Sequence, residues 1–267
     1  MIRTPAVSGQ FYAADPKRLR HDLESLIPEG RIPEPAIGVV APHAGYVYSG
    51  RSAGELYASV TIPRTVLILG PNHHGVGSPA ALFPSGAWET PLAPVPVESR
   101  LASLLARHAP LLREDTIAHQ FEHSLEVQVP FLQHFRHDLS IVPICVGFRD
   151  LASCRALGEG IARAVTEFAE PVLIVASSDM SHYEPAEHAR ARDTAAIDRI
   201  LALDPAGLLT LCREQGITMC GVVPATVMLI AALALGATAA RLVSYTNSGD
   251  TSGDYRQVVG YASIAVS

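Results

Sequence analysis

The stretch ILGPNHHGVG places two adjacent histidines, His73 and His74, in a turn directly after an apolar run. Neutral imidazole is the commonest metal ligand in proteins, and it also exchanges protons near neutral pH. The turn lacks both the lysine and the glycine spacing of a phosphate-binding loop. This pair of residues therefore favours metal binding or acid–base chemistry.

Two other apolar runs end in the same way. AIGVVA is followed by His43, and PVLIVAS is followed by Asp179 and His182. A single loop histidine is usually only hydrogen-bonded or solvated, but in an open α/β sheet ligands bind beyond the carboxyl ends of the strands. Histidines and a carboxylate gathered at that edge are the composition expected of a metal or catalytic centre.

The elements that must position these residues can be read from the hydrophobic pattern. Six short runs rich in aliphatic and β-branched residues predict strands, and their continuous apolarity indicates that both faces are covered. These runs are residues 36–41, 65–70, 140–146, 171–177, 240–246 and 258–266. Helical patterns occupy residues 15–27, 49–60, 124–135, 150–169, 187–203, 204–216 and 223–236.

Strands and helices alternate along the whole chain without a linker rich in Pro, Gly and Ser. We therefore predict the α/β class, with a single three-layer α/β/α domain over residues 1–267. Its central sheet should be mixed and mostly parallel. The chain of 267 residues is 48% apolar and 17% charged, which is typical of a well-packed globular protein.

Composition also argues against several partners. The net charge is −6 and no basic cluster occurs, so nucleic-acid binding is not expected. The longest apolar run, residues 225–240, is interrupted by Gly236 and is too short to span a membrane. The first residues lack the apolar region of a signal peptide, and the four cysteines form no C-x-x-C pair. We therefore expect a cytoplasmic protein with reduced thiols and no membrane partner.

Seven segments together resemble the Memo family, which includes the bacterial proteins called AmmeMemoRadiSam system protein B. In chain order they are RTPAVSGQFYAADP, APHAGYVYSG, LGPNHH, EHSLEVQVPFLQ, SSDMSHY, CGVVPA and SYTNSGD. The family is similar in fold to the class III extradiol dioxygenases, which hold a non-haem Fe(II) and cleave catechol rings with O₂. The resemblance implies a bound transition metal, with Fe(II) favoured and Cu or Zn as alternatives. It also implies an unknown small-molecule substrate and association with radical SAM and AMME-type proteins.

The metal ligands that the resemblance implies are His43 of APHAGY, His74 of GPNHH and Cys220 of MCG. Neighbouring side chains of an extended segment point to opposite sides. The resemblance assigns His74 to the metal, so His73 is expected in a supporting or substrate-facing position.

Three further residues are candidates for catalytic work in the same pocket. The resemblance places Asp179 and His182 of SSDMSHY there, with Asp179 orienting a ligand and His182 acting as general acid or base. His123, beside Glu122 in FEHSLEVQ, would be an acid–base group or a substrate contact.

Cys220 separates two hypotheses about function. No Glu follows Glu214, so the carboxylate of a dioxygenase triad has no C-terminal Glu to supply it. A helix start near Cys220 is expected to lower the pKa of its thiol. If the pocket keeps its chemistry, the protein is a metal-dependent oxidoreductase of the extradiol dioxygenase type. The alternative is a catalytically inactive metal- or ligand-binding component of an AmmeMemoRadiSam assembly.

Overall fold

The computed structural model describes residues 1–267. The strands are β1 (Ile2–Arg3), β2 (Gly38–Ala41), β3 (Thr65–Pro71), β4 (Ala80–Leu82), β5 (Ala87–Trp88), β6 (Val95–Pro96), β7 (Arg113–Glu114), β8 (Ser140–Val146), β9 (Val172–Ser177), β10 (His182–Glu184), β11 (Ala240–Asn247) and β12 (Val258–Val266). The α-helices are α1 (Pro16–Leu26), α2 (Tyr46–Ala58), α3 (Ser99–His108), α4 (Val129–Phe135), α5 (Leu151–Phe168), α6 (Ala186–Leu201), α7 (Pro205–Gln215), α8 (Val222–Ala234) and α9 (Gly249–Ser252). Single 3₁₀ turns occupy Ile117–His119 and Glu126–Gln128.

The main sheet has nine strands in the order β10-β12-β2-β9-β3-β8-β4-β7, with β11 paired to β12. The four central strands, β2, β9, β3 and β8, are mutually parallel, whereas β12 pairs antiparallel with β2 and β4 with β8. A small separate sheet joins β1, β5 and β6. The predicted α/β class with a mixed sheet is confirmed. The parallel strands form the centre of the sheet.

Successive side chains of each central strand point to opposite faces of the sheet, and helices cover both faces. Leu67 and Leu69 of β3 pack with residues of α3, α5, α6, α7 and α8. Val66 and Ile68 of the same strand pack with residues of α1, α2 and α4. Each of these fully buried aliphatic side chains contributes about 1.5–3 kcal/mol. An apolar cluster therefore lies on each side of the sheet, between the sheet and a layer of helices. This is the predicted three-layer α/β/α arrangement.

Local signals set several helix ends. Asp15, Asp150 and Asp204 each accept a hydrogen bond from a backbone N–H in the first turn of α1, α5 and α7. Helix α7 ends at Gly216, whose φ of 63° is left-handed and suits glycine. Helix α3 has no counterpart among the predicted helices. No helix combines the length and the apolarity that crossing a membrane requires.

Candidate metal centre

The carboxyl ends of three neighbouring strands carry the polar residues of the site. Strands β2, β9 and β3 lie side by side and run parallel. His43 follows β2, Asp179 follows β9, and His73 follows β3. The expected edge of the sheet is therefore the place where these side chains meet.

Three imidazoles form a cluster at this edge, namely those of His43, His73 and His123. One nitrogen from each ring lies within 4.8 Å of one nitrogen of each of the others. The rings of His73 and His123 stack with centroids 4.7 Å apart, and His43 meets both edge-on at 5.2 and 5.4 Å. His123 reaches the cluster from the segment that precedes the second 3₁₀ turn.

The ring orientation of His43 is fixed by a chain of buried hydrogen bonds. The Gln128 amide nitrogen donates to the carbonyl of Pro42 and to Ser177 Oγ, 2.9 and 2.8 Å away. Ser177 Oγ donates its single proton to the carbonyl of Ser124 at 2.7 Å. It can therefore only accept at its 3.0 Å contact with Nδ1 of His43. Nδ1 of His43 carries the proton, and Nε2 presents a lone pair to the site.

Glu122 orients His73 in a comparable way. The fully buried carboxylate accepts the backbone N–H of His73 at 2.7 Å and its Nδ1–H at 2.8 Å. The backbone N–H of Ser124 adds a third bond at 3.0 Å. Burial alone would raise the pKa of Glu122, but the hydrogen bonds from His73 and from the N–H of Ser124 hold it at about 2. Glu122 is thus a carboxylate at neutral pH, and Nε2 of His73 is left as the free nitrogen.

Burial keeps the other two imidazoles neutral. Burial and, to a smaller extent, the neighbouring His73 together lower the pKa of His43 to about 3. Burial likewise lowers the pKa of His123 to about 4, with His43 adding to the effect. Neutral imidazole is the form that binds a metal, so the cluster is ready to act as a ligand set at pH 7.

Cys220 and Asp179 border the cluster beside His43. Cys220 Sγ lies 3.1 Å from Nε2 of His43 and accepts the backbone N–H of Asp179 at 3.2 Å. Asp179 Oδ1 accepts the backbone N–H of His43 at 2.7 Å, and Oδ2 lies 4.0 Å from Nε2. Both residues therefore contact His43 directly.

The expectation of a lowered thiol pKa at Cys220 is wrong. Burial raises the pKa of this thiol, and the charge of Asp179 raises it further. Helix α8 does start directly after Gly221, but its dipole does not offset these two effects. In the metal-free protein Cys220 is a neutral thiol.

His182 lies at the border of the same pocket. Its backbone N–H donates to Thr218 Oγ1, and its Nδ1 donates to the carbonyl of Thr218 at 3.0 Å. A carbonyl can only accept, so Nδ1 of His182 carries a proton. Thr218 lines the cavity beside Cys220, so this hydrogen bond places His182 next to that cavity.

His74 occupies a different position from the one expected. Its side chain is exposed, and its Nε2 donates to the carbonyl of Phe121 at 3.0 Å. The first histidine of the pair, His73, belongs to the cluster, and the second does not. The turn after β3 is not extended. The two hydrogen bonds that His73 donates to Glu122 determine which of the two rings joins the cluster.

The residues present suit a transition metal. Neutral imidazoles with a nearby thiol and carboxylate are donors for iron, copper or zinc. Two of the ring nitrogens, Nε2 of His43 and Nε2 of His73, have lone pairs whose direction is set by hydrogen bonds on the opposite nitrogen. A cavity of about 540 Å³ reaches the site, with His73 and Cys220 in its wall.

The fold and the site define an α/β protein with a histidine cluster at the carboxyl edge of its parallel strands. The chain matches the model of the Memo-like protein family over residues 3–265, and it belongs to that family. A MEMO1 family protein of Methanopyrus kandleri, MK0963, is 44% identical and covers 99% of this chain and 98% of its own length. A MEMO1 family protein of Aquifex aeolicus is 44% identical and covers 97% of each chain.

A solved structure shares the fold. It is the crystal structure of the uncharacterized protein JW3007 from Escherichia coli K12, with a TM-score of 0.62 and 15% sequence identity. The match covers 85% of this chain and 98% of that chain. At this level of identity the likeness concerns the fold alone.

Proposed function

We propose that this Memo-family protein binds a transition metal through His43, His73 and His123, with Fe(II) favoured and Cu or Zn as alternatives. The observation that carries the proposal is the fixed protonation of two rings. Ser177 and Glu122 each accept a hydrogen bond from Nδ1–H, which leaves Nε2 of both rings facing the site. A histidine whose other nitrogen donates to a carboxylate or hydroxyl is the usual form of a metal ligand.

The surroundings of the cluster support a metal-dependent oxidoreductase of the extradiol dioxygenase type. A bound Fe(II) would supply redox chemistry toward O₂ and a Lewis acid for substrate oxygens. The imidazole of His182 would exchange protons with a bound substrate, and Asp179 holds the backbone of His43 in place. The cavity gives a small molecule access to the cluster.

Cys220 supports the alternative proposal, in which the metal is held without catalysis. Its thiol contacts His43 at 3.1 Å in a pocket where a dioxygenase would present a carboxylate. In that case the protein would serve as a component of an assembly with radical SAM and AMME-type proteins in the cytoplasm.

Metal binding is tested on protein purified without oxygen, with metal content measured by elemental analysis. We expect about one transition metal per chain, lost in His43→Ala, His73→Ala and His123→Ala. His74→Ala is the matched control, because His74 adjoins His73 but points away from the cluster, and it should keep the metal. Loss of metal in His74→Ala with retention in His73→Ala would refute the proposed ligand set.

Catalysis is tested by O₂ consumption of the Fe(II)-loaded protein with a panel of catechols. The oxidoreductase proposal expects turnover that His182→Gln lowers without loss of iron, since His182 would transfer protons and not hold the metal. An iron-loaded wild-type protein that consumes no O₂ with any catechol would favour the non-catalytic alternative.

A further inference from the structure

The cavity beside the histidine cluster has an uneven lining. Seventeen residues line its volume of about 540 Å³, and nine of them are hydrophobic. The apolar side comes largely from helices α7 and α8 and the segment between them, including Leu209, Ile217 and Val223. His73 and Cys220 bring the cavity to the proposed metal site. A volume of this size fits a small organic molecule.

Two arginines supply the only full charges of this lining. Arg149 lies between β8 and α5, and Arg213 lies in the last turn of α7. Neither side chain forms an ion pair or a hydrogen bond with another residue, and no Asp or Glu lines the cavity. Neither guanidinium group therefore has a counter-ion from this chain, whereas arginines such as Arg100 and Arg192 pair with carboxylates.

The amino-terminal end of helix α8 adds positive potential to the cavity, as the two arginines do. Residues 222–224, the first turn of this 13-residue helix, also line the cavity. The amino-terminal end of a helix carries a partial positive charge. The cavity is therefore apolar on one side and attractive to anions on the other.

We propose that this cavity binds a small organic anion, with its carboxylate or phosphate at Arg149 and Arg213 and its apolar body against α7 and α8. This arrangement would leave the reacting end of the molecule next to His73 and Cys220. The proposal names the substrate class of the metal site and in that respect rests on the proposed function. Planar guanidinium groups bind both carboxylate and phosphate oxygens well, so the shared chemistry is the anionic group.

Matched pairs of ligands test this proposal. The probes are benzoate, 3-phenylpropanoate, 4-phenylbutanoate and octanoate, each compared with its uncharged primary amide. Phenyl phosphate, compared with phenol, serves as the phosphate arm. Binding is measured by calorimetry on the full chain, both metal-loaded and after chelation, in wild type, Arg149→Gln, Arg213→Gln and the double variant. Arg155→Gln is the control, because Arg155 is an exposed arginine of α5 outside the cavity.

We expect at least one anion to bind about tenfold tighter than its neutral partner, an advantage that falls as salt is added. Each single substitution should weaken that anion about threefold and the double variant about tenfold, whereas Arg155→Gln should change nothing. Metal content should stay unchanged in all these variants.

Several outcomes would overturn the anion site. Equal affinity of every anion and its neutral partner would do so, as would the absence of binding by every probe. Loss of the preference in Arg155→Gln to the same extent as in the double variant would show that only bulk charge acts. A preference that persists in a protein with no metal affinity would instead refute the proposed function and leave the anion site standing.

Discussion

Two buried glutamates, Glu122 and Glu126, lie four residues apart but hold different kinds of partner. Glu126 binds the amino-terminal segment: its carboxylate accepts from Arg3 at 2.7 Å and from the hydroxyl of Tyr12 at 2.6 Å. Two backbone N–H groups, those of Ala6 and Val7, complete its partners. Every partner of Glu126 is a structural group of the fold.

Glu122 has an equally full set of bonds but a different kind of partner. It accepts from the backbone and ring of His73 and from the N–H of Ser124. The ring of His73 keeps a second nitrogen, which lies in the cluster and in the cavity wall. Glu122 and Glu126 are thus equally buried and equally supplied with hydrogen-bond donors. What separates a structural carboxylate from one of the site is whether its partner retains a free coordinating atom.

The largest expected effect is the loss of stability in Glu126→Gln. Removing one charge of the buried pair leaves Arg3 without its counter-ion, and breaking such a pair costs about 3–5 kcal/mol. The free energy of unfolding in urea at pH 7 measures this. Glu159→Gln, which removes an exposed partner of Arg163, should change stability by less than about 0.5 kcal/mol. If both variants are equally stable, Glu126 is not the structural member of the comparison.

His119, three residues before Glu122, makes the stability of the fold depend on pH. Its ring is fully buried against Trp88 and Phe83, and burial lowers its pKa to about 4 from an ordinary value of 6.5. The unfolded chain therefore takes up a proton first as the pH falls. Stability that is complete above pH 6.5 should be lost progressively down to pH 4, by about 3 kcal/mol from this residue.

The variant His119→Gln isolates that contribution. Its amide can still donate to the carbonyl of Ala81, the present partner of Nε2, but it cannot be protonated in this range. Urea unfolding between pH 4 and 7 should show a shallower loss of stability than in wild type. His21→Gln, at an exposed position, should leave the slope unchanged. An unchanged slope in His119→Gln would remove this residue from the pH response.

Glu122→Gln should act on the site more than on the fold. An amide offers one accepting oxygen where the carboxylate offers two, so the ring of His73 loses its fixed protonation. The expected loss is about 10–100-fold in metal affinity, as is usual for a group that orients a ligand. Competition with a chelator measures it, and Glu126→Gln is the reciprocal control. Equal losses of affinity in both variants would abolish the distinction between Glu122 and Glu126.

Ser177→Ala should have the smallest effect. It removes the acceptor that holds the proton on Nδ1 of His43, so the two neutral forms of that ring compete. We expect about a tenfold loss of metal affinity and a stability loss of about 1 kcal/mol. Ser263→Ala deletes another buried hydroxyl, one that donates to the carbonyl of Ser52 and forms no hydrogen bond with a histidine of the cluster. It should match the stability loss while leaving metal affinity unchanged.

Much of the fold could be predicted because apolar runs mark strands directly. The predicted strands over residues 140–146 and 258–266 coincide with β8 and β12. Helix α3 was missed because its amphipathic pattern follows a proline-rich stretch that favours irregular structure. Its buried Leu101 and Leu105 pack against the sheet only once the tertiary structure is complete.

The site could be predicted as far as strand order determines it. His43 and Asp179 follow adjacent parallel strands, so their meeting needs only the topology. The choice of His73 over His74 depends on bonds to Glu122, which lies 49 residues away in sequence. No local sequence pattern contains that contact. The adjacent Glu122 and His123 indicate only that this segment carries polar residues suited to the site. The roles expected of Asp179, His182 and His123 in catalysis stay predictions.

The adjacency of β2, β9 and β3 also determines when the site can exist during folding. His43, His73 and His123 are distant along the chain, and parallel pairings of this kind close long loops and form slowly. The cluster therefore has no early, local precursor to which an ion could bind. Binding restricted to the finished fold stabilises that state by mass action. We thus expect added metal to slow unfolding while the folding rate stays the same.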